Sequence, residues 1–381
     1  MKELLPSFLK PTIRFLYYKN QRKKFFREIT IKKKQDKLLR LQYDKDEKEL
    51  IVFLVPGADW DTAKDNISGG VLSIASLYNE TKKLFKIHNS KTIMCTFPGD
   101  HLLLEHTRFE NDITVFRFKQ LSEYFTGVKK MIIHIPELFV EYFQPGLTKY
   151  ECDFLKRIEF LQINILNQNI NLMPGKNIID SLQFFTKNIT VTTAHKKYCT
   201  KDYRLQYNVP LHFFSTFADP GKYDFIQYSQ KEDLIVFSPD HDEKNKEITE
   251  VLKSAFPGLQ TKIIRGLKYE DYKEIIKRSK WSITFGEGLD FYFIEPVFSG
   301  AISFAIYNEA FFTEDFKTIK GIYSDYDSLR KKIVSDIKEL DDPINYKKYQ
   351  QEQFNLCALY YSKQQYTKNI AAFYNKEYTY A

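Results

Sequence analysis

Phe285-Gly286-Glu287-Gly288-Leu289-Asp290-Phe291-Tyr292-Phe293-Ile294-Glu295-Pro296-Val297-Phe298-Ser299-Gly300 reads as the joint between a strand and a helix. An apolar run over 281–285 ends in a Gly-Glu-Gly turn, a short helical stretch follows, and Gly300 closes it. In open α/β sheets, ligands sit beyond the carboxyl ends of the strands, at such joints. Free amides at the start of the helix suit a diphosphate. Glu287 and Glu295 stand eight positions apart and bracket that anion site. Glu287 in the turn is placed to face a sugar, and Glu295 to accept from ribose hydroxyls, because a carboxylate offers two acceptors to a vicinal diol. The plainer alternative is an ordinary capped helix with one surface glutamate.

On either side of this stretch the same alternation repeats. Apolar strands are expected at 51–55, 92–96, 113–118, 131–135, 160–166 and 189–192, with amphipathic segments between most of them. The pattern loosens over 210–233, where Pro210, Pro220 and Gly221 sit among polar residues. A second series follows, with strands at 234–237, 261–264, 281–285 and 302–306 and helices at 243–255 and 269–280. Apolar strands separated by helices imply parallel sheets covered on both faces. The expected fold class is α/β, with two Rossmann-like, doubly wound domains facing across a cleft. A basic arm occupies 1–45, a first α/β domain 46–215 and a second 216–345. The final helices, 346–381, are expected to pack back on the first domain.

Charge is unevenly spread over the 381 residues. The net +8 comes from 57 Lys and Arg against 49 Asp and Glu, but residues 1–40 alone carry 13 against 3, leaving −2 on the rest. A near-neutral body argues against a nucleic-acid partner. The arm mixes Leu4, Phe8, Ile13, Phe15 and Tyr17 with Lys10, Arg14 and the Arg22–Lys34 basic tract. Such interleaving suits an interfacial helix on an anionic membrane through residues 1–40. A basic helix packed on the body is the competing reading, and a nucleic-acid arm the weakest. No run approaches the ~18 apolar residues of a membrane span. Cys95, Cys152, Cys199 and Cys357 are widely spaced, which favours neither disulfides nor zinc. A cytoplasmic protein, peripheral on the inner membrane face, is the expectation.

The 285–300 stretch resembles the E-x7-E motif of GT-B glycosyltransferases, particularly family 4. Glu287 and Glu295 fall on its two glutamates, and Gly286, Gly288 and Gly300 on its glycines. The sequence departs from the pattern at Asp290, usually Gly, at Tyr292, usually Pro, and at Pro296, usually Ala; a helix cap is the alternative role for Asp290. Residues 238–245 are similar to the family's Arg/Lys segment, with Lys244 on the Lys and Pro239 in place of the Arg; Arg265 or Lys246 is available to compensate. Ser68-Gly69-Gly70 looks like the family's N-terminal glycine loop, where glycine admits ligands close to the backbone. The resemblance implies an acceptor-binding domain at 46–215, a nucleotide-sugar-binding domain at 216–345, a nucleotide-diphosphate sugar as donor substrate, no cofactor, no metal and retention of anomeric configuration. Glu287 would contact the transferred sugar. Donor binding would involve Glu295, Gly288, Leu289, Asp290, Lys244, Arg265, Ser68, Gly69 and Gly70.

In the family, a polar residue after a central strand of the first domain often meets the sugar and is frequently His. His134, with Glu137 nearby, is one candidate for this catalytic position; the other is Asn167-Gln168-Asn169, whose Asn167 and Asn169 are the acceptor-binding candidates. A lone His beside an apolar strand is more often a satisfied structural residue. His101 and His106 lie five apart, poor spacing for a metal. Asp240-His241-Asp242 resembles the metal-binding D-x-D of GT-A glycosyltransferases, although acidic residues opening a helix explain it better; Asp59-Trp60-Asp61 shows how common the pattern is. The expected function is transfer of a sugar to a saccharide or lipid-linked acceptor in bacterial surface polysaccharide synthesis. The alternatives are a GT-A-like enzyme using Asp240 and Asp242, and a membrane-associated binding protein that kept the fold and lost catalysis.

Overall fold

The computed structural model describes residues 19–56, 69–99, 113–215, 223–267 and 269–381. The part of the expected membrane arm (1–40) that precedes residue 19, and Asp59, Asp61, Ser68, His101 and His106, fall outside these residues. Two parallel sheets form the body. In the first, β1 (Glu49–Val55), β2 (Lys91–Thr96), β3 (Val115–Arg117), β4 (Lys130–Pro136), β5 (Phe160–Asn167), β6 (Ile189–Thr193) and β7 (Leu211–Phe213) lie in the order β3-β2-β1-β4-β5-β6-β7. In the second, β8 (Glu232–Phe237), β9 (Gln260–Ile263), β10 (Ser279–Thr284), β11 (Ile302–Ile306) and β12 (Ile322–Tyr323) lie in the order β12-β11-β10-β8-β9.

The sequence of β1, Glu-Leu-Ile-Val-Phe-Leu-Val, shows why these sheets are sandwiched. Successive side chains of a strand point to opposite faces. Leu50, Val52 and Leu54 enter one apolar cluster while Ile51, Phe53 and Val55 enter another, and all six are buried. Strands β8 and β10 divide in the same way, with Leu234 and Val236 on one face and Ile235, Phe237, Trp281 and Ile283 on the other. Strand order reverses direction between β1 and β4 in the first sheet and between β8 and β10 in the second. Each reversal leaves a crevice at the carboxyl edge, because the connecting helices depart to opposite faces.

The Lys19–Gln42 helix explains part of the basic arm. Ile31, Gln35 and Leu39 are buried, Leu39 in the core of the first domain. Gln35 donates its amide to the Val115 carbonyl at 2.7 Å and so occupies a polar group on the edge strand β3. Over this stretch the arm is a helix packed on the body. Among the described residues no helix is long and apolar enough to cross a membrane.

The first sheet ends within the expected limit of residue 215, whereas the limit expected at residue 346 needs correction. The loosened pattern at 210 hides β7, a strand of three residues too short to show alternation, which pairs with β6 as the last strand of the first sheet. The chain also crosses back later than residue 346. Helix Pro343–Tyr361 packs on the second domain, where Tyr346 donates to the Lys280 and Gly300 carbonyls at 2.8 and 3.0 Å and Cys357 and Tyr361 are buried. Ser362 ends that helix and caps the next, Lys363–Tyr374, which buries Tyr366, Ile370 and Phe373 against the first sheet. Beyond it, Tyr380 pairs with Leu211 on β7. Ile370 is fully buried, so Ile370→Ala should cost about 2–5 kcal/mol. Urea unfolding followed by circular dichroism should show a lower midpoint with an unchanged slope.

Candidate active site

The carboxyl edges of the two sheets enclose a cleft of about 660 Å³. From the first domain come Pro56 after β1, Gly70 and Val71 at the start of helix Gly69–Lys83, Glu137 after β4, Asn169 after β5 and His195 after β6. From the second come Pro239 after β8, Arg265 after β9, and Glu287, Leu289, Asp290, Tyr292 and Glu295 after β10. Both strand-order reversals therefore open into one space.

Glu287 is held in the cleft by its glycine neighbours. Gly288 has φ +84, and a side chain there would meet Phe312 at 2.5 Å and the Ile306 carbonyl at 2.9 Å. A side chain at Gly286 would meet the Asp240 carboxylate at 2.8 Å. Asp290 ends the turn as an N-cap, accepting from the Phe293 amide at 3.1 Å and from the Thr284 hydroxyl at 3.2 Å. Its carboxylate occupies the Phe293 amide of helix Phe291–Phe298, because Asp at this position satisfies an unpaired helix N–H, and the residue lines the cleft at the same time.

Glu295 lies on that helix, where Tyr223 donates to its Oε1 and Tyr269 does so at 2.9 Å. Across the cleft, Asn169 donates its side-chain amide to Glu287 Oε1 at 2.6 Å, and its backbone N–H to Glu137 Oε1 at 2.9 Å. One residue of the first domain thus links carboxylates of both domains. Burial and the nearby Asp240 and Glu137 push the Glu287 carboxyl up to about 7. Burial, Asp240 and Glu287 raise Asp290 to about 7, and burial raises Glu137 to about 6. Among the described lining residues, Arg265 is the one Lys or Arg, and it holds Asp242 with two hydrogen bonds, the shorter 2.6 Å. It also donates to the Pro239 carbonyl at 2.8 Å, which brings its guanidinium beside the position where the sequence lacks an arginine.

Other residues singled out in the sequence lie elsewhere. His134 is fully buried in β4, stacked on Phe53 at 4.5 Å, with its ring nitrogens engaged by Tyr374 at 3.0 Å and Asn164 at 3.0 Å. Burial lowers its pKa to about 3. It is a satisfied core histidine, removed from the cleft because its alternation along β4 directs it into the sheet's face. Asn167 is buried beside a separate void of about 20 Å³. Lys244 stands over the rings of Phe285 and Tyr326 at 5.9 and 5.3 Å and does not line the cleft. Asp242 opens helix Asp242–Ala255 and is paired with Arg265, and the two-sheet fold departs from a GT-A layout. Among the described residues no group of three His, Cys, Asp or Glu side chains is arranged to hold a metal. No local pattern in the sequence marks His195, two residues past β6, or the pair that holds Glu295, Tyr223 in the domain linker and Tyr269 at the start of helix Tyr269–Arg278.

The sequence matches no model of a known protein family and none of the curated proteins. Solved structures do resemble the fold. An alpha-glucosyltransferase in complex with UDP superposes with a TM-score of 0.58 at 10% identity, over 86% of this chain and 99% of that one. HepE from Anabaena, in complex with UDP and glucose, gives 0.55 at 8% identity over 86% and 100%. Sucrose-phosphate synthase from Thermosynechococcus elongatus gives 0.54 at 10% identity over 87% and 99%. The architecture is that of the GT-B glycosyltransferases.

The raised acids set a pH dependence. Glu287 and Asp290 have folded-state pKa values above their unfolded ones, so the native state binds more protons between about pH 4 and 7. Their contribution is fully present below pH 4 and is lost as pH rises through 7. Asp290→Asn keeps an N-cap oxygen but removes the charge. Its melting temperature should exceed that of the wild type at pH 8, with the two converging at pH 4–5 in a calorimetric series.

Proposed function

We propose that this protein is a glycosyltransferase that moves a sugar from a nucleotide-diphosphate sugar to a hydroxyl acceptor. The observation that carries the reading is the cleft shared by both strand-order reversals, lined by Glu287 and by Glu295 on the adjoining helix. In this reading the nucleotide lies against the second domain. Glu295, oriented by tyrosine hydroxyls, accepts from the ribose diol. Arg265 and the backbone amides at Gly70 and Val71 meet the diphosphate; the latter begin a helix of 15 residues whose N-terminal end favours anions. These groups stabilise the charge that develops on the leaving phosphate. Glu287 and Asn169 orient the transferred sugar. Retention of configuration and independence of metal, both implied by the family 4 resemblance, belong to the proposal.

UDP and UDP-glucose should raise the melting temperature, since a ligand that binds the native state stabilises it. Release of UDP from a panel of UDP-sugars should fall on the order of 10²-fold in Glu287→Gln, with UDP affinity retained. Stabilisation by UDP without turnover of any sugar would favour the inactive binding protein, for which the capping role of Asp290 speaks. The absence of both responses would sink the nucleotide-sugar reading.

The acceptor is proposed to be a saccharide or lipid-linked saccharide of bacterial surface polysaccharide assembly, met at the cytoplasmic membrane face. Support comes from the +10 charge of residues 1–40. Each cation near an anionic surface contributes about 1 kcal/mol. In sedimentation with phosphatidylserine-containing vesicles, the full chain should bind and a form beginning at residue 19, which keeps the packed helix, should bind more weakly. Equal binding by both would remove the role of the segment before residue 19.

A further inference from the structure

The first-domain wall of the cleft contains two buried polar atoms that nothing in the described structure satisfies. They are Oε2 of Glu137 and Nδ1 of His195. The residues are 4% and 5% exposed, and both line the cleft. Buried polar groups are nearly always paired, so an unpaired one calls for an explanation. An unpaired carboxylate oxygen is costlier still. Neither atom is misplaced by a loose side chain. Glu137 follows β4 directly, and its other oxygen is fixed by the Asn169 backbone N–H at 2.9 Å. His195 follows β6, with its ring edge-on to Phe311 of the second domain at 5.3 Å.

The chemistry of the two atoms is alike. Burial keeps His195 neutral, with a pKa lowered to about 4, and the Gln168 backbone is the group that favours a proton on the ring. A neutral imidazole that gives its one proton to a carbonyl presents a bare acceptor at its other nitrogen. Glu137 Oε2 is an acceptor as well whenever the carboxyl is ionised. Two fixed acceptors in a partly dry wall call for a ligand that brings hydroxyl donors and no negative charge of its own. Glu137 is also joined, through Asn169, to Glu287, so this ligand would lie next to the sugar-facing glutamate.

On the glycosyl-transfer reading above, we infer that Glu137 and His195 form the acceptor subsite and receive hydrogen bonds from two hydroxyls of a neutral saccharide. They position the acceptor, and no covalent step is assigned to them. The assignment moves the acceptor contacts from Asn167, which is buried elsewhere, to the ends of β4 and β6. It also accounts for the unpaired carboxylate, since a site that hydrogen-bonds a substrate hydroxyl is left unsatisfied without it.

Glu137→Gln and His195→Phe test the assignment. Glutamine keeps an oxygen for the Asn169 amide and removes the charge. Glu137→Gln should therefore melt about 2–4 °C above the wild type at pH 8 and show a smaller difference at pH 5. Binding of glucose, galactose, N-acetylglucosamine and their methyl glycosides is measured by calorimetry in the presence of UDP. The saccharide that binds the wild type best should bind each variant about tenfold to a hundredfold more weakly, and its KM as acceptor should rise correspondingly. UDP affinity should be unchanged. A lower melting temperature of Glu137→Gln at pH 8, undiminished saccharide binding in both variants, no saccharide bound by the wild type, or weakened UDP binding would each overturn the inference. A protein that binds saccharide through these residues yet consumes no nucleotide sugar would leave the subsite standing and fail the transfer reading instead.

Discussion

A parallel sheet imposes one constraint from which the remaining architecture follows. Adjacent parallel strands cannot be joined by a hairpin, so the chain must return along a face of the sheet before adding the next strand. All strands then end at the same edge. In this protein that edge carries Pro56, Glu137, Asn169 and His195 in one sheet and Pro239, Arg265 and Glu287 in the other. Residues scattered over 230 positions meet because each follows the last hydrogen-bonded residue of a strand. The returning helix Lys363–Tyr374 then ties the two sheets together, burying Tyr366, Ile370 and Phe373 in the first domain after a long helix has packed on the second.

The cleft so formed is short of cations and rich in carboxyl groups. Glu137, Glu287 and Asp290 all titrate above their ordinary range, and Arg265 shares its charge with Asp242. An arrangement of this kind stabilises the unliganded protein poorly at neutral pH. Its polar lining is dominated by hydrogen-bond acceptors, with Arg265 as the one Lys or Arg among the described lining residues. Asn169 has a particular place in it. By donating to both Glu137 and Glu287 it sets the spacing of carboxyl groups across the cleft without adding charge.

The alternating fold was largely legible in the sequence. Apolar runs such as 51–55 and 234–237 are long enough to exclude a surface role, and the turns between them carry glycine where a positive φ is needed. Gly288 illustrates the link, since only glycine tolerates φ +84 with Phe312 and the Ile306 carbonyl pressed against it. Strands β7 and β12 are not legible, because two or three residues show no period. The crossing at Ser362 is not legible either, because the helices on either side have similar compositions. For the site, Glu287 and Glu295 could be picked out by their spacing in a glycine context. His134 could not be told from a ligand by sequence, because a histidine satisfied by Tyr374 and Asn164 depends on partners 240 and 30 positions away.

What the sequence determined by itself is therefore local: strand and helix periods, the strained turn at Gly288, the separation of a basic arm from a near-neutral body, and the two glutamates of one turn and helix. Each of these depends on neighbours in the chain. Only the tertiary structure decided that Arg265 reaches the carbonyl of Pro239, that Asn167 and Lys244 leave the cleft, and that Glu137 and His195 remain in it with atoms unpaired. Hydrogen-bond satisfaction and desolvation depend on groups brought together by sheet order, and sheet order brings together residues that no local pattern connects.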